Sequence, residues 1–194
     1  MRVLVACELS GVVRDAFLAR GHDAISCDLL PSEREGPHIQ GDIRTVDLSE
    51  YDLMIAHPPC THLTVSGARW FKDKQREQTE ALDFVRYLLD APVEKIALEN
   101  PVGVISSRIR KPDQIYQPYY FGDSISKKTC LWLKGLPPLV PTSIVDPGER
   151  VTYASGRSVP KWCADSWSLP PEERARVRSY TPRGVAAAMA EQWG

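Results

Sequence analysis

Short apolar runs of strand length recur along the first hundred residues, each followed by a turn and a stretch with helical spacing. This alternation is the strongest constraint on the fold. Arg2 to Ala6, Ala24 to Cys27, Tyr51 to Ala56 and Glu94 to Leu98 read as strands, and Ile39 to Ile43 reads as a shorter one. Between them, Gly11 to Arg20 has the pattern of a helix with Val12, Val13, Ala16 and Phe17 inward and Gly21 as its stop. Lys74 to Leu89 has the pattern of a longer polar helix with Leu82, Val85, Leu88 and Leu89 inward. Strands alternating with helices imply an α/β fold, a doubly wound and mostly parallel sheet. With 194 residues the chain can bury a full core as one domain, 1–194.

The pattern changes further along. Ile115 to Phe121 and Thr129 to Leu133 read as two strands around Gly122-Asp123-Ser124. Pro137 to Pro171 is rich in Pro, Ser and Gly and shows no periodicity, yet it carries Tyr153, Trp162 and Trp167. The stretch 137–180 is therefore expected to be an ordered, loop-rich insert. Thr181 suits an N-cap and Pro182 a first helical position, with Val185 to Trp193 as the apolar face of a final helix.

Composition narrows the function classes. A formal net charge of -1 carries no polybasic signal, so nucleic-acid binding would need a local patch. Such a patch exists between Ser106 and Lys134, where six cations face two acids. No apolar run is long enough to span a bilayer, and the first residues are too short for a signal-peptide core. The five cysteines include no C-x-x-C pair, which suggests neither a disulfide framework nor a zinc knuckle. No metal site is expected. Reduced thiols in a cytoplasm, bacterial or that of a phage-infected cell, are the simplest reading, with a monomer favoured.

The chemistry-bearing residues sit where strands end. Pro58-Pro59-Cys60 follows directly on Leu53-Met54-Ile55-Ala56, which holds one thiol on a stiff turn at the carboxyl end of a buried strand. Open α/β sheets bind ligands at that edge. Cys7-Glu8-Leu9-Ser10-Gly11, Asp28 and Glu99-Asn100-Pro101 end other strands and should converge on the same crevice. A small-residue turn into a helix, with an acid roughly 20 residues later, is the arrangement of a nucleoside-binding half. Asp28 would accept from ribose hydroxyls. A carboxylate at a strand end beside a thiol makes a nucleophile-and-acid pair, Cys60 with Glu99.

Taken in order, these segments resemble the cytosine-C5 DNA methyltransferases that depend on S-adenosylmethionine. Pro58-Pro59-Cys60 is similar to that family's nucleophile motif, and Glu99-Asn100-Pro101 to its Glu-Asn motif, with Pro101 where Val is usual. Ala6 to Phe17 resembles the cofactor loop, and Gly41-Asp42-Ile43 the segment that contacts the adenine. Thr181-Pro182-Arg183-Gly184-Val185 resembles the segment that returns to the cofactor site. The resemblance implies a methyltransferase-type Rossmann-like fold, DNA as partner and S-adenosylmethionine as cofactor. It implies contacts to that cofactor from Cys7, Glu8, Leu9, Ser10, Gly11, Asp28, Asp42, Ile43 and Pro58. Cys60 would add to C6 of a flipped cytosine, Glu99 would hold N3 and the exocyclic amine, and Asn100 would orient the loop. Nearby cations would lower the pKa of Cys60.

The chain departs from the family in three places. The glycine loop reads Cys7-Glu8-Leu9-Ser10, where Glu8 would bond a polar part of the cofactor. The Gln-x-Arg-x-Arg segment is replaced by a region containing Lys127 and Lys128, which would take over contacts to the base and its phosphate. Only the stretch before Thr181 can stand in for a target-recognition domain, so a short or relaxed target is expected. Arg69, Trp70 and Lys72, just past the nucleophile, would form a loop closing on the DNA backbone, with Trp70 and Phe71 available to fill the gap left by a flipped base. Two other readings stay open: a C5-modifying enzyme acting on a free cytidine nucleotide, and a catalytically inactive DNA-binding homologue.

Overall fold

A computed structural model describes residues 1–64 and 74–194. Among them, one seven-stranded sheet dominates. It comprises β1 (Arg2–Ala6), β2 (Asp23–Asp28), β3 (His38–Gln40), β4 (Leu53–Ala56), β5 (Lys95–Pro101), β6 (Gln114–Tyr116) and β7 (Thr129–Lys134). The spatial order is β3-β2-β1-β4-β5-β7-β6. The first five strands run parallel, and β7 runs antiparallel to both β5 and β6. The order reverses between β1 and β4, so the chain leaves the sheet on opposite faces and opens a crevice at the strand ends there.

Strand residues alternate between two apolar layers. One layer collects Val3, Val5, Leu53, Ile55, Ala97 and Leu131 against α1 (Val12–Leu18) and α6 (Arg183–Trp193), through Val13, Phe17, Val185, Met189 and Trp193. The other collects Leu4, Ala6, Met54, Ala56, Ile96, Leu98 and Trp132 against α2 (Gln75–Leu89), through Leu82, Val85 and Leu88. Leu89 packs at the margin of that layer. This is the doubly wound α/β fold that the alternating pattern predicts.

Local chemistry shortens several predicted elements. Where the pattern predicts a strand over Ile39 to Ile43, β3 stops at Gln40 and a 3₁₀ turn covers Ile43–Thr45. The Asp42 side chain accepts the Arg44 N–H and caps that turn, drawing the chain out of the ladder. Where a strand is predicted over Ile115 to Phe121, β6 ends at Tyr116 and Pro118–Tyr120 forms a 3₁₀ turn. Pro118 has no N–H to give a ladder and its fixed φ suits a turn. The stretch 137–180 holds more regular structure than its composition predicts: a hairpin of β8 (Arg150–Thr152) and β9 (Ser158–Pro160), then α4 (Lys161–Asp165) and α5 (Pro171–Ser179). These elements are too short to show a period.

The final helix also starts later than predicted. Pro182 is its cap and Arg183 its first residue. Asp123 Oδ2, not Thr181, accepts an early amide of this helix, from Gly184 at 2.8 Å.

Arg14 ties α1 to the loop after β2. Its guanidinium is fully buried and donates to Ser32 Oγ at 3.1 Å and to the Glu35 carbonyl at 2.9 Å, beside Asp15 at 2.7 Å. A Cβ at Gly11, where φ is 68°, would stand 2.6 Å from Arg14 Nη2, so the turn into α1 requires glycine twice over.

Candidate active site

The carboxyl ends of β1, β4 and β5 line a cleft, and a segment between α5 and α6 forms its fourth wall. Parallel register dictates much of the arrangement. Ala56 pairs with Leu98, so the next residues, His57 and Glu99, come side by side, followed by Pro58 and Asn100. The contacts follow that register. His57 Nδ1 lies 2.9 Å from Glu99 Oε2, and Asn100 Nδ2 donates to the Pro58 carbonyl at 2.8 Å. Asn100 therefore ties the Pro-Pro turn to β5.

The turn carrying Cys60 is anchored beyond the thiol too. Leu63 and Thr64 donate their N–H groups to the Cys60 carbonyl at 3.0 and 3.1 Å. Val104 N–H donates to Leu63 O at 2.8 Å, and Thr64 bridges to Gly103. A Cβ on Gly103 would stand 2.0 Å from Leu63 O, so the close approach of the two chains excludes any side chain there.

Glu99 is buried, with 8% of its side chain exposed. Burial pushes its pKa up, but the His57 hydrogen bond and charge, Lys127 and the Thr181 hydroxyl outweigh that, and the carboxyl lies below its ordinary value. Thr181 Oγ1 donates to Glu99 Oε2 at 3.3 Å. Burial disfavours a charge on His57, yet the hydrogen bond and charge of Glu99 with the charge of Glu8 raise its pKa. Each partner thus favours the charged form of the other.

Cys60 departs from expectation. Lys127 and Arg178 both act to lower its pKa, but burial is the larger effect, and Glu99 adds to it. The thiol lies above its ordinary value, so the free protein holds it protonated rather than activated.

Of the residues predicted to meet a cofactor, Cys7, Glu8, Leu9, Ser10 and Pro58 line the cleft, and Gly11, Asp28, Asp42 and Ile43 do not. Cys7 has a left-handed φ of 60°, uncommon for a side chain with a Cβ and a form of strain that collects at functional sites. Burial, with the charges of Asp28, Cys27 and Asp42, pushes its thiol up to about 12, which keeps it inert. Glu8 faces inward. Its Oε1 accepts Val13 N–H at 2.7 Å and Ser10 Oγ at 3.0 Å, and its Oε2 accepts Arg14 N–H at 3.2 Å. The carboxylate caps α1 where Gly11 offers no side chain, and both oxygens are engaged. Asp28 accepts Leu30 N–H at 3.0 Å. Asp42 is held by Arg44, whose side-chain and backbone hydrogen bonds take its pKa down to about 2. Ile43 is core.

Lys127 lines the cleft and donates to Tyr180 O at 3.3 Å, whereas Lys128 is not among the lining residues. Arg69, with Trp70, Phe71 and Lys72, lies outside the described residues.

Three contributors were not singled out as site residues from sequence. His57 pairs with Glu99. Arg178 and Tyr180 line the cleft, and Tyr180 is clamped by Arg176 at 2.8 Å and by a short hydrogen bond to Glu33. Glu33 N–H in turn donates to the Leu9 carbonyl at 2.8 Å, linking this wall to the β1 turn. The adjacency of His to Pro-Pro-Cys was a signal available in the sequence; the Glu33–Tyr180 contact, 147 positions apart, had none.

No protein-family model and no curated protein matches the chain. Forty-four solved chains resemble it in fold. A candidate DNA modification methyltransferase encoded within an E. coli prophage is 14% identical with a TM-score of 0.49, over 88% of this chain and 56% of that one. Dnmt2 methyltransferase of S. pombe is 16% identical with a TM-score of 0.45, over 71% of this chain and 51% of that one. A triple mutant of DNMT2 from Spodoptera frugiperda is 19% identical with a TM-score of 0.43, over 75% and 54%. The chain thus spans between 51% and 56% of the length of these structures. Among the described residues, no helix is long and apolar enough to cross a membrane.

Proposed function

We propose that the protein is a DNA (cytosine-5-)-methyltransferase dependent on S-adenosylmethionine. The observation that carries this reading is the convergence of Cys60, the His57–Glu99 pair and Lys127 on one cleft at the switch point of the sheet. A thiol, a buried acid and a cation together suit covalent addition to an electron-poor ring. Cytosine C5 is a poor nucleophile until a thiolate adds at C6.

The cleft fits a polar donor molecule on its β1 side. Among the described residues, two buried polar atoms of the cleft, His57 Nε2 after β4 and Asn100 Oδ1 on β5, have no hydrogen-bond partner. Buried groups of this kind ordinarily find one. Leu9, Ser10 and Pro58 would hold the donor, with Cys7 supplying backbone. S-adenosylmethionine, when bound, supplies a methyl group on a sulfonium, an electrophile for C5.

Cys60, only partly buried, first gives up its proton to solvent water, because the thiolate is the nucleophile. Lys127 and Arg178 favour that loss, and the phosphate of an entering nucleotide would meet the same two cations. Sγ then bonds to C6, and negative charge moves through the ring toward N3, which faces Glu99. With the donor bound, C5 would take its methyl group as the bond from that carbon to the sulfonium sulfur breaks, leaving a neutral thioether. Loss of the C5 proton restores the ring as the Sγ–C6 bond breaks, returning the thiolate.

Unmodified duplex DNA incubated with radiolabelled S-adenosylmethionine and the protein, beside Cys60→Ala, tests the reading. Label in 5-methylcytosine that vanishes in Cys60→Ala is the expected result. Transfer to a free cytidine nucleotide but not to DNA would move the substrate to the small molecule. Transfer to neither would leave an inactive DNA-binding homologue, recognised by steeply salt-dependent binding without turnover.

A further inference from the structure

His57 is placed by the sheet rather than by its loop. Its N–H donates to the Ala6 carbonyl at 2.9 Å, and it follows Ala56 in the register that sets it beside Glu99. Only 13% of its side chain is exposed. Among the described residues, the charged groups facing its ring are Glu99 on β5, Glu8 after β1 and Lys127 before β7. Two acids oppose one cation there, and the geometry with Glu99 is that of a direct ion pair, 2.9 Å from Nδ1 to Oε2.

A carboxylate alone would be a poor neighbour for the chemistry above. Addition at C6 drives negative charge toward N3, and an unpaired anion beside N3 repels it. An imidazolium bonded to that carboxylate makes the two groups neutral together and keeps one proton in the site. It also fixes which oxygen is engaged, leaving Oε1 for the base.

We propose that His57 is a positioning residue that orients Glu99 and supplies the counter-charge that lets this acid stabilise a base gaining negative charge. The role rests on the cytosine-methylation reading.

Single-turnover methyl transfer into duplex DNA, followed from about pH 5.5 to about pH 9.5 for the wild type, His57→Gln and His57→Ala, tests it. The His57 ring, assigned through its backbone resonances, is titrated by NMR in the free wild-type protein. His57 should titrate above about pH 6.5, the ordinary histidine value, and the wild-type rate, which climbs with pH as Cys60 loses its proton, should stop climbing as pH passes that point. His57→Gln keeps a donor for Glu99 without a charge. It should be slower by about 100-fold at neutral pH and should keep climbing with pH where the wild type levels off, and His57→Ala should be slower still. An unchanged rate and profile in His57→Gln would overturn the role, as would a wild-type ring titrating at or below the ordinary value. That titration needs no variant to fold. If the wild type methylates no DNA at any pH, the methylation reading fails and takes the role with it; a ring titrating high in the same sample identifies that as the cause.

Discussion

Replacing Glu8 with glutamine separates a structural carboxylate from a ligand-binding one. Glu8 is 5% exposed and accepts three hydrogen bonds, two from the opening amides of α1 and one from Ser10. Glutamine keeps one acceptor oxygen and turns the other position into a donor. That donor faces either Val13 N–H or Arg14 N–H, so one buried amide loses its partner, at a cost of about 1–3 kcal/mol. Loss of the negative charge from the helix N-terminus adds about 0.3–2 kcal/mol. The sum centres near 3 kcal/mol, which for a chain of this size lowers Tm by about 6–12 °C. Thermal and urea unfolding measure the stability, and calorimetric titration with S-adenosylmethionine measures the donor. Glu8→Gln should unfold earlier, and donor affinity should fall only as far as the β1 turn loosens. A Tm change under about 2 °C together with a tenfold or greater loss of donor affinity would refute the reasoning and return Glu8 to a direct contact with the donor.

Other perturbations follow from the same geometry. Gly103→Ala puts a Cβ against the Leu63 carbonyl and must displace the Cys60 turn; about 1–3 kcal/mol of urea stability and most of the methyl transfer should be lost, and wild-type behaviour in both would contradict the close approach. Alkylation of Cys60 by iodoacetamide, read by peptide mass spectrometry, should be slow at neutral pH and still rising beyond the ordinary thiol range, because burial raises its pKa; an early plateau would show an activated thiolate. The His57–Glu99 pair makes stability depend on pH with a defined sign. The raised pKa of His57 gives a contribution fully present below about pH 6.5 and lost as pH rises through the higher folded value. The lowered pKa of Glu99 gives one present above about pH 4.3 and lost as pH falls through the lower folded value. The urea midpoint should therefore fall on both sides of that window in the wild type and flatten on the alkaline side in His57→Gln; parallel alkaline slopes in the two proteins would remove the pair as the cause.

What was legible in the sequence was what local pattern governs. The strands at Arg2 to Ala6, Ala24 to Cys27 and Leu53 to Ala56, the helices over 12–18 and 75–89, and the placement of Cys60 just past a strand follow from apolar period and turn chemistry, whereas β5 runs on to Pro101 and holds Glu99 within it because β7 pairs there. Strand order follows from pairing between distant segments, so the adjacency of His57 and Glu99 was not readable from either residue alone. Arg14 shows a different limit. Its position in α1 reads as solvent-facing, yet the loop after β2 folds over it and offers carbonyls that satisfy the guanidinium. The sequence context of Thr181 favours an N-cap, but tertiary contact draws its hydroxyl to Glu99. The pKa of Cys60 depends on how deeply its turn is covered, and no sequence pattern reports that depth.

The wall formed by Arg178 to Thr181 has a consequence for how the protein is made. Residue 60 leaves the ribosome long before residue 181 does. At about 5–20 residues per second the interval is on the order of ten seconds. During that time the sheet strands can pair, but the Cys60 thiol has neither Arg178 above it nor Thr181 on its acid. Docking of α6 on α1 then closes the site in the same event that completes one side of the core. The candidate site is thus completed only once Arg178 to Thr181 have emerged and docked, and until then the Cys60 thiol stands uncovered on that side.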